Sequence, residues 1–225
     1  MQENGKIIPD KIIRSKRKTV SLSVDVTGQL IVRAPLQCSE ARILAFIEKK
    51  ANWILKQKSK FSVVSKYLPT EDLDGFQFPL MGSLCTIEKT SQKRVRYDET
   101  ECVLYIPQDG NQETVRRWLK KKAKEVFFER TDRLAKVMDV RYQSVGVSSA
   151  QKRWGSCSHD NKIRYTFHLL FAPIAVIDYV IIHELSHTIH KNHGKLFWNK
   201  VAKYCPDWKI KRKWLKDNGY LMRIF

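Results

Sequence analysis

Four of the chain's six histidines, His183, His187, His190 and His193, fall within the stretch IIHELSHTIHKNHGKLFW, residues 181–198. On an α-helix, residues four apart differ by ~40° around the axis and ~6 Å along it, so His183 and His187 point to one side and can converge on one ion. Tetrahedral zinc accepts imidazole nitrogens at ~2.0–2.1 Å, a distance that two histidines on adjacent turns meet without distorting the backbone. Glu184 is offset by ~100° from His183, which places it beside an open coordination position as a general base rather than as a third ligand. HELSH is therefore a complete HExxH. The apolar, mostly β-branched run before it (Val180, Ile181, Ile182) predicts a helix buried on that flank.

A third ligand has two candidates. His190 lies seven residues after His183, ~10 Å along an unbroken helix, too far for one ion to hold both without strain. His193 lies six after His187, the spacing of HExxHxxGxxH, in which a chain reversal brings the third histidine back. The glycine of that pattern is absent and His190 stands in its place, so the reversal is expected to use positive φ at His190 or Asn192. His193 is preferred, with His190 as the alternative, and the fourth position is left to water.

These residues need elements to position them. TVSLSVD, VTGQ and LIVRAP read as strand, turn and strand, followed by a helix capped by Ser39 and running to about residue 60. LCTIEKT and CVLYIP read as strands. Pro107, Asp109 and Gly110 punctuate the chain, which predicts two parts, residues 1–110 and 111–225. A helix is expected over 112–138 with the apolar stripe Val115, Trp118, Leu119, Ala123, Val126, Phe127, Leu134 and Val137, and with a face of Arg116, Arg117, Lys120, Lys121, Lys122 and Lys124. SVGVSSA, RWGSCS and KIRYTFHLLF read as strands. Pro173 suits the start of the helix IAVIDYVIIHELSHTIH, and two more helices follow, one from about Lys195 to before Pro206 and one from about Trp208 to a cap at Gly219.

The 225 residues carry 42 Lys and Arg against 23 Asp and Glu, a formal charge of +19. Such a field favours anionic partners, nucleic acid among them, through the basic face of 112–138 or through KIKRKWLK, residues 209–216. The most apolar run, LLFAPIAVIDYVII, contains Pro173 and Asp178 and is too short to span a ~30 Å bilayer core, so no membrane role is expected. The N-terminus has no apolar segment behind its charges and does not read as a signal peptide. Five cysteines without a CxxC pair predict reduced thiols in a cytoplasmic protein.

HELSH, Asn192-His193, Phe197-Trp198 and RWGSCS at 153–158 together resemble the YgjP-like metallopeptidase family, relatives of the SprT-like and WLM zinc peptidases. RSKRKTVSLSV, GQLIVRAP, VIDYVIIHELSH and CPDW extend the resemblance along most of the chain. It implies an α+β fold, a mainly-β N-terminal subdomain followed by a zincin-like helix and sheet domain that carries the HExxH helix. It implies one Zn2+ per chain on His183, His187 and His193, Glu184 as the catalytic carboxylate, and Arg153, Trp154, Gly155 and Ser156 shaping a substrate groove. Where relatives show a polar Asn after RWGSC this chain has RYTFHLLF, so Thr166 or His168 is a candidate replacement contact.

The expected reaction is peptide hydrolysis by zinc-activated water, with Glu184 moving the proton to the leaving amine. Arg153, Tyr165 and Tyr179 are the candidate oxyanion donors. Two rivals stand beside it: attack on a phosphoanhydride in a nucleotide, or a basic nucleic-acid-binding module whose metal site is inert.

Overall fold

The computed structural model describes residues 2–3, 6–25, 28–64, 69–219, 221 and 224–225, with side chains from residue 7 onward except at 60–64. Contacts divide the chain into two units, residues 1–68 and 69–225.

In the first unit, β1 (Gln2–Glu3) and β2 (Lys6–Ile7) form a short antiparallel ladder. β3 (Lys11–Ser15), β4 (Ser21–Val24) and β5 (Leu30–Pro35) form a sheet in the order β3-β5-β4, with β5 parallel to β3 and antiparallel to β4. Period-two alternation selects the buried face: Leu30, Val32 and Ala34 are buried while Arg33 is exposed. Val24 faces Leu30 across the expected hairpin, whose Val26 and Thr27 lie outside the described residues. The single helix expected to about residue 60 is two. α1 (Glu40–Lys49) is capped by Ser39, whose hydroxyl accepts from Arg42 N, and α2 (Ala51–Val64) restarts after Lys50 at φ −109°.

The second unit begins with a four-stranded sheet of β6 (Gln77–Leu80), β7 (Ser83–Thr90), β8 (Arg96–Asp98) and β9 (Val103–Pro107), in the order β6-β7-β9-β8. The sequence pointed to a boundary near residue 110, yet this sheet stays with the helices that follow it. Met81 N donates to Leu170 O at 2.6 Å and Phe78 meets Phe171 edge-on at 6.4 Å, so the sheet's apolar face is closed by the later half of the chain. The Pro107–Gly110 punctuation is a turn that leads into Asn111, the N-cap of α3 (Gln112–Met138). Cys85 and Cys102, adjacent through the pairing of Thr86 with Val103 in parallel β7 and β9, are joined by a disulfide where only thiols were expected. Strand register made that pair, and a separation of 17 residues does not announce it.

α3 buries Val115, Leu119, Ala123, Phe127, Thr131 and Ala135, together with Met138. A row stepping by four turns ~40° around the axis each time, so the core drifts off the expected stripe. Val137 ends 62% exposed, and Thr131 and Ala135 take the places inside.

β10 (Ser144–Ser148), β11 (Gly155–Cys157) and β12 (Lys162–Thr166) form a sheet in the order β10-β12-β11, which leaves β11 at an edge. The strand expected through KIRYTFHLLF stops at Thr166, and Phe167–Phe171 is a 3-10 turn buried at every residue. A continuous apolar run does not by its periodicity separate strand from buried helix. α4 (Ile174–Ser186), α5 (Lys195–Tyr204) and α6 (Trp208–Asp217) complete the unit. Sheets and helices together make the mixed α+β architecture that the sequence implied. No helix among the described residues is long and apolar enough to cross a membrane.

Candidate metal centre

α4 is seated by its apolar side, where Ile177, Ile181 and Leu185 have no exposed surface. It is also seated by charge: Arg130 on α3 holds Asp178 in a bidentate pair, Nε to Oδ1 and Nη2 to Oδ2 both at 2.7 Å. Such a fork fixes orientation as well as position. His183 lies in the last turn of α4 and His187 is its C-cap, still right-handed at φ −70°, ψ −15°. The two imidazoles therefore share a side.

The chain then reverses without positive φ at His190 or Asn192, contrary to the expectation. Turns built from Thr188 N to Leu185 O (3.1 Å), Ile189 N to Ser186 O (3.3 Å) and His190 N to Ser186 O (2.9 Å) do the work. Asn192 Oδ1 accepts from Gly194 N, and α5 begins. This path returns His193 to the helix, with its Nε2 3.1 Å from Nε2 of His183 and 3.1 Å from Nε2 of His187.

Three ring nitrogens that face one another are an unfavourable arrangement without a cation or shared protons between them. The spacing suits a cation: bonds of ~2.0–2.1 Å at tetrahedral angles put neighbouring donor nitrogens ~3.3 Å apart. His187 Nδ1 is 3.0 Å from the His190 carbonyl, a contact in which Nδ1–H donates and leaves the Nε2 lone pair for the cluster. His190 thus contributes its backbone, and its ring is not in the cluster. His183 Nδ1 is buried with no hydrogen-bond partner among the described residues. Burial pushes the His183 imidazole down to about 3, with His187, His193 and Arg212 adding to the effect, and burial lowers His187 as well. Both rings are neutral at ordinary pH, the state that binds metal.

Glu184 is 6% exposed. Burial pushes its carboxyl up to about 8, against the pull of the Arg153 guanidinium. Gly155 on β11 packs directly over it. A Cβ there would stand 2.6 Å from Oε1 and 2.8 Å from Cγ, so only glycine lets the strand approach this closely. Trp154 O accepts from Thr166 N at 3.0 Å, tying the start of β11 to β12, and Ser156 pairs with Arg164. RWGSCS and HELSH, well separated in sequence, thus meet at Glu184.

Other expectations fare differently. Thr166 and His168 are both 1% exposed and bond each other, Oγ1 to Nδ1 at 2.8 Å, so they belong to the core and offer no groove contact. Tyr165 is fully buried with its phenol oxygen bonded to Thr131 at 3.3 Å, which removes it from the candidate oxyanion donors. Tyr179, one turn before His183, has its ring 6.1 Å from that imidazole, and burial pushes its phenol up to about 12. Cys157 is a half-buried thiol whose pKa burial shifts upward.

Sequence reasoning gave no role to the aromatic floor of the site. Phe197, fully buried, has its ring 4.9, 4.4 and 4.8 Å from those of His183, His187 and His193. Trp198 stacks on His193 at 5.7 Å. Their place just after the third histidine, on a helix of alternating faces, was the available signal.

The sequence matches the YgjP-like metallopeptidase domain over residues 18–218. The crystal structure of the metallopeptidase zymogen of Methanocaldococcus jannaschii jannalysin is similar at 18% identity, over 39% of this chain and 94% of that one, with a TM-score of 0.35. No curated protein matches.

Proposed function

Since this chain belongs to the YgjP-like metallopeptidase family, we propose that it is a zinc-dependent peptidase that hydrolyses peptide or protein substrates with one Zn2+ per chain. The observation that carries this reading is the convergence of the His183, His187 and His193 Nε2 atoms beside a buried carboxylate. All-imidazole donors with an open fourth position suit zinc. Bound there, zinc would polarise the scissile carbonyl and lower the pKa of a water to about 7.

The chain's own groups supply the rest. With the charge of a bound zinc beside it favouring the ionised carboxylate, Glu184 would take the proton of the attacking water and pass it to the leaving amine. Gly155 keeps β11 close over that carboxylate and so limits where it can swing. β11 is an edge strand, so an extended substrate adds to it through backbone hydrogen bonds, with Arg153, Trp154, Gly155 and Ser156 lining the groove. The +19 charge supports association with nucleic acid in the cytoplasm, read out as binding that weakens steeply with salt.

Metal analysis beside peptide hydrolysis tests the reading. The native protein is expected to carry about one zinc per chain and to cleave casein. His187→Ala loses the metal, and Glu184→Gln keeps the metal and loses hydrolysis. An unchanged metal content in His187→Ala overturns the site.

A further inference from the structure

The indole of Trp198 lies 5.7 Å from the His193 ring and 5.8 Å from that of His183. It also stacks on Trp208, the first residue of α6, at 4.1 Å and 18°. One turn along α6, Arg212 places its guanidinium carbon 5.3 Å from the Trp198 centroid. The helix neighbours of Arg212 are neutralised: Lys211 pairs with Asp207 and Lys213 with Asp217, both at 2.7 Å. Among the described residues no carboxylate pairs with Arg212 itself. Its cation is therefore held on an aromatic face beside the three imidazoles, with its fork of N–H donors free.

Arg212 is an exposed residue whose guanidinium nonetheless lies over the Trp198 ring. We propose that Arg212 is a specificity residue that receives a carboxylate of the peptide substrate and makes the enzyme prefer acidic peptides. The proposal rests on the peptidase reading above. Arg212 reaches the imidazoles through two successive ring contacts, each under 6 Å. At ~3.3–3.6 Å per extended residue, those contacts place the carboxylate it meets within about three residues of the scissile bond. That carboxylate is an Asp or Glu side chain or the chain end, and a planar guanidinium receives either through two parallel N–H···O bonds.

Binding can be separated from turnover by using the zinc-loaded Glu184→Gln protein. Calorimetry would compare an acetylated, amidated peptide carrying one Glu, moved position by position, with its Gln counterpart, and a neutral peptide with a free C-terminus would test the chain end. At one or more positions, Glu is expected to bind about tenfold more tightly than Gln. Adding Arg212→Gln brings the ratio to about one, and Arg212→Lys keeps part of it. A free-end preference that vanishes in Arg212→Gln supports the same receptor with the chain end as its source. A Glu preference that survives Arg212→Gln overturns the proposal. So does a loss confined to single-stranded oligonucleotide binding, which would make Arg212 a phosphate contact. Cleavage of the neutral peptide by the native protein tests the peptidase reading separately, because that reaction requires the metal and Glu184 without the acidic contact.

Discussion

Gly155 and Glu184 touch so closely that no side chain fits between them: a Cβ on Gly155 would lie 2.6 Å from Glu184 Oε1, 2.8 Å from Cγ and 2.9 Å from Cδ. The carboxylate is walled in by the strand that the substrate would join. Gly155→Ala must move either the strand or the carboxylate, while the three imidazoles lie elsewhere. Steady-state hydrolysis is expected to fall about tenfold or more, the scale of a misplaced proton-transfer group, with zinc content intact. An Ala variant with native kcat/KM would show that the Glu184 position is not constrained by β11.

His193 and His190 should differ sharply when truncated. His190 offers only its carbonyl, which a substitution leaves in place, so His190→Ala is expected to keep the metal. His193→Ala removes one of three converging nitrogens and should weaken zinc binding by at least about tenfold. Competition with a chromogenic chelator measures both, and equal losses would reverse the assignment.

The Arg130–Asp178 fork joins the long helix to the helix that bears His183 and His187. The pair is partly buried, at 19% and 24% side-chain exposure, so removing one partner strands the other. Asp178→Ala is expected to cost ~1–3 kcal/mol. Urea denaturation of the two single variants and the double variant would reveal the coupling, and additive losses would show that the pair is energetically silent.

His168 makes stability depend on acid. Burial holds its imidazole down to about 4 from an ordinary 6.5, with Arg116 and Lys120 of α3 pushing the same way and the Phe225 backbone opposing. The folded chain therefore binds fewer protons than the unfolded one between those values. The stabilisation is full above about 6.5 and is lost as pH falls towards about 4. Thermal melts of native protein and His168→Asn across that window should show a shallower acid slope in the variant. Parallel slopes would remove His168 as the cause.

Much of this was legible in the residues because it depends on local spacing. HELSH puts two imidazoles and a carboxylate in fixed angular relation on any helix, and six residues from His187 to His193 is long enough for one reversal. Alternation in LIVRAP, the cap at Ser39 and the apolar flank before His183 are likewise statements about near neighbours. Misreadings arose where packing between distant segments decided the outcome. Phe167–Phe171 is apolar enough for a strand, and it became a 3-10 turn because it is enclosed on every side.

The sequence by itself determined that His183 and His187 share a helix face, the charge of the molecule and the helical phase of Glu184, since each follows from residue identity and a period of 3.6. Only the tertiary structure decided that RWGSCS lies over Glu184, that Phe197 underlies all three rings, that Cys85 meets Cys102, and that Arg212 rests on Trp198 near the site. Those contacts join residues far apart in the chain. Burial and strand register fix such partners, and no local pattern encodes which distant surface will cover which face.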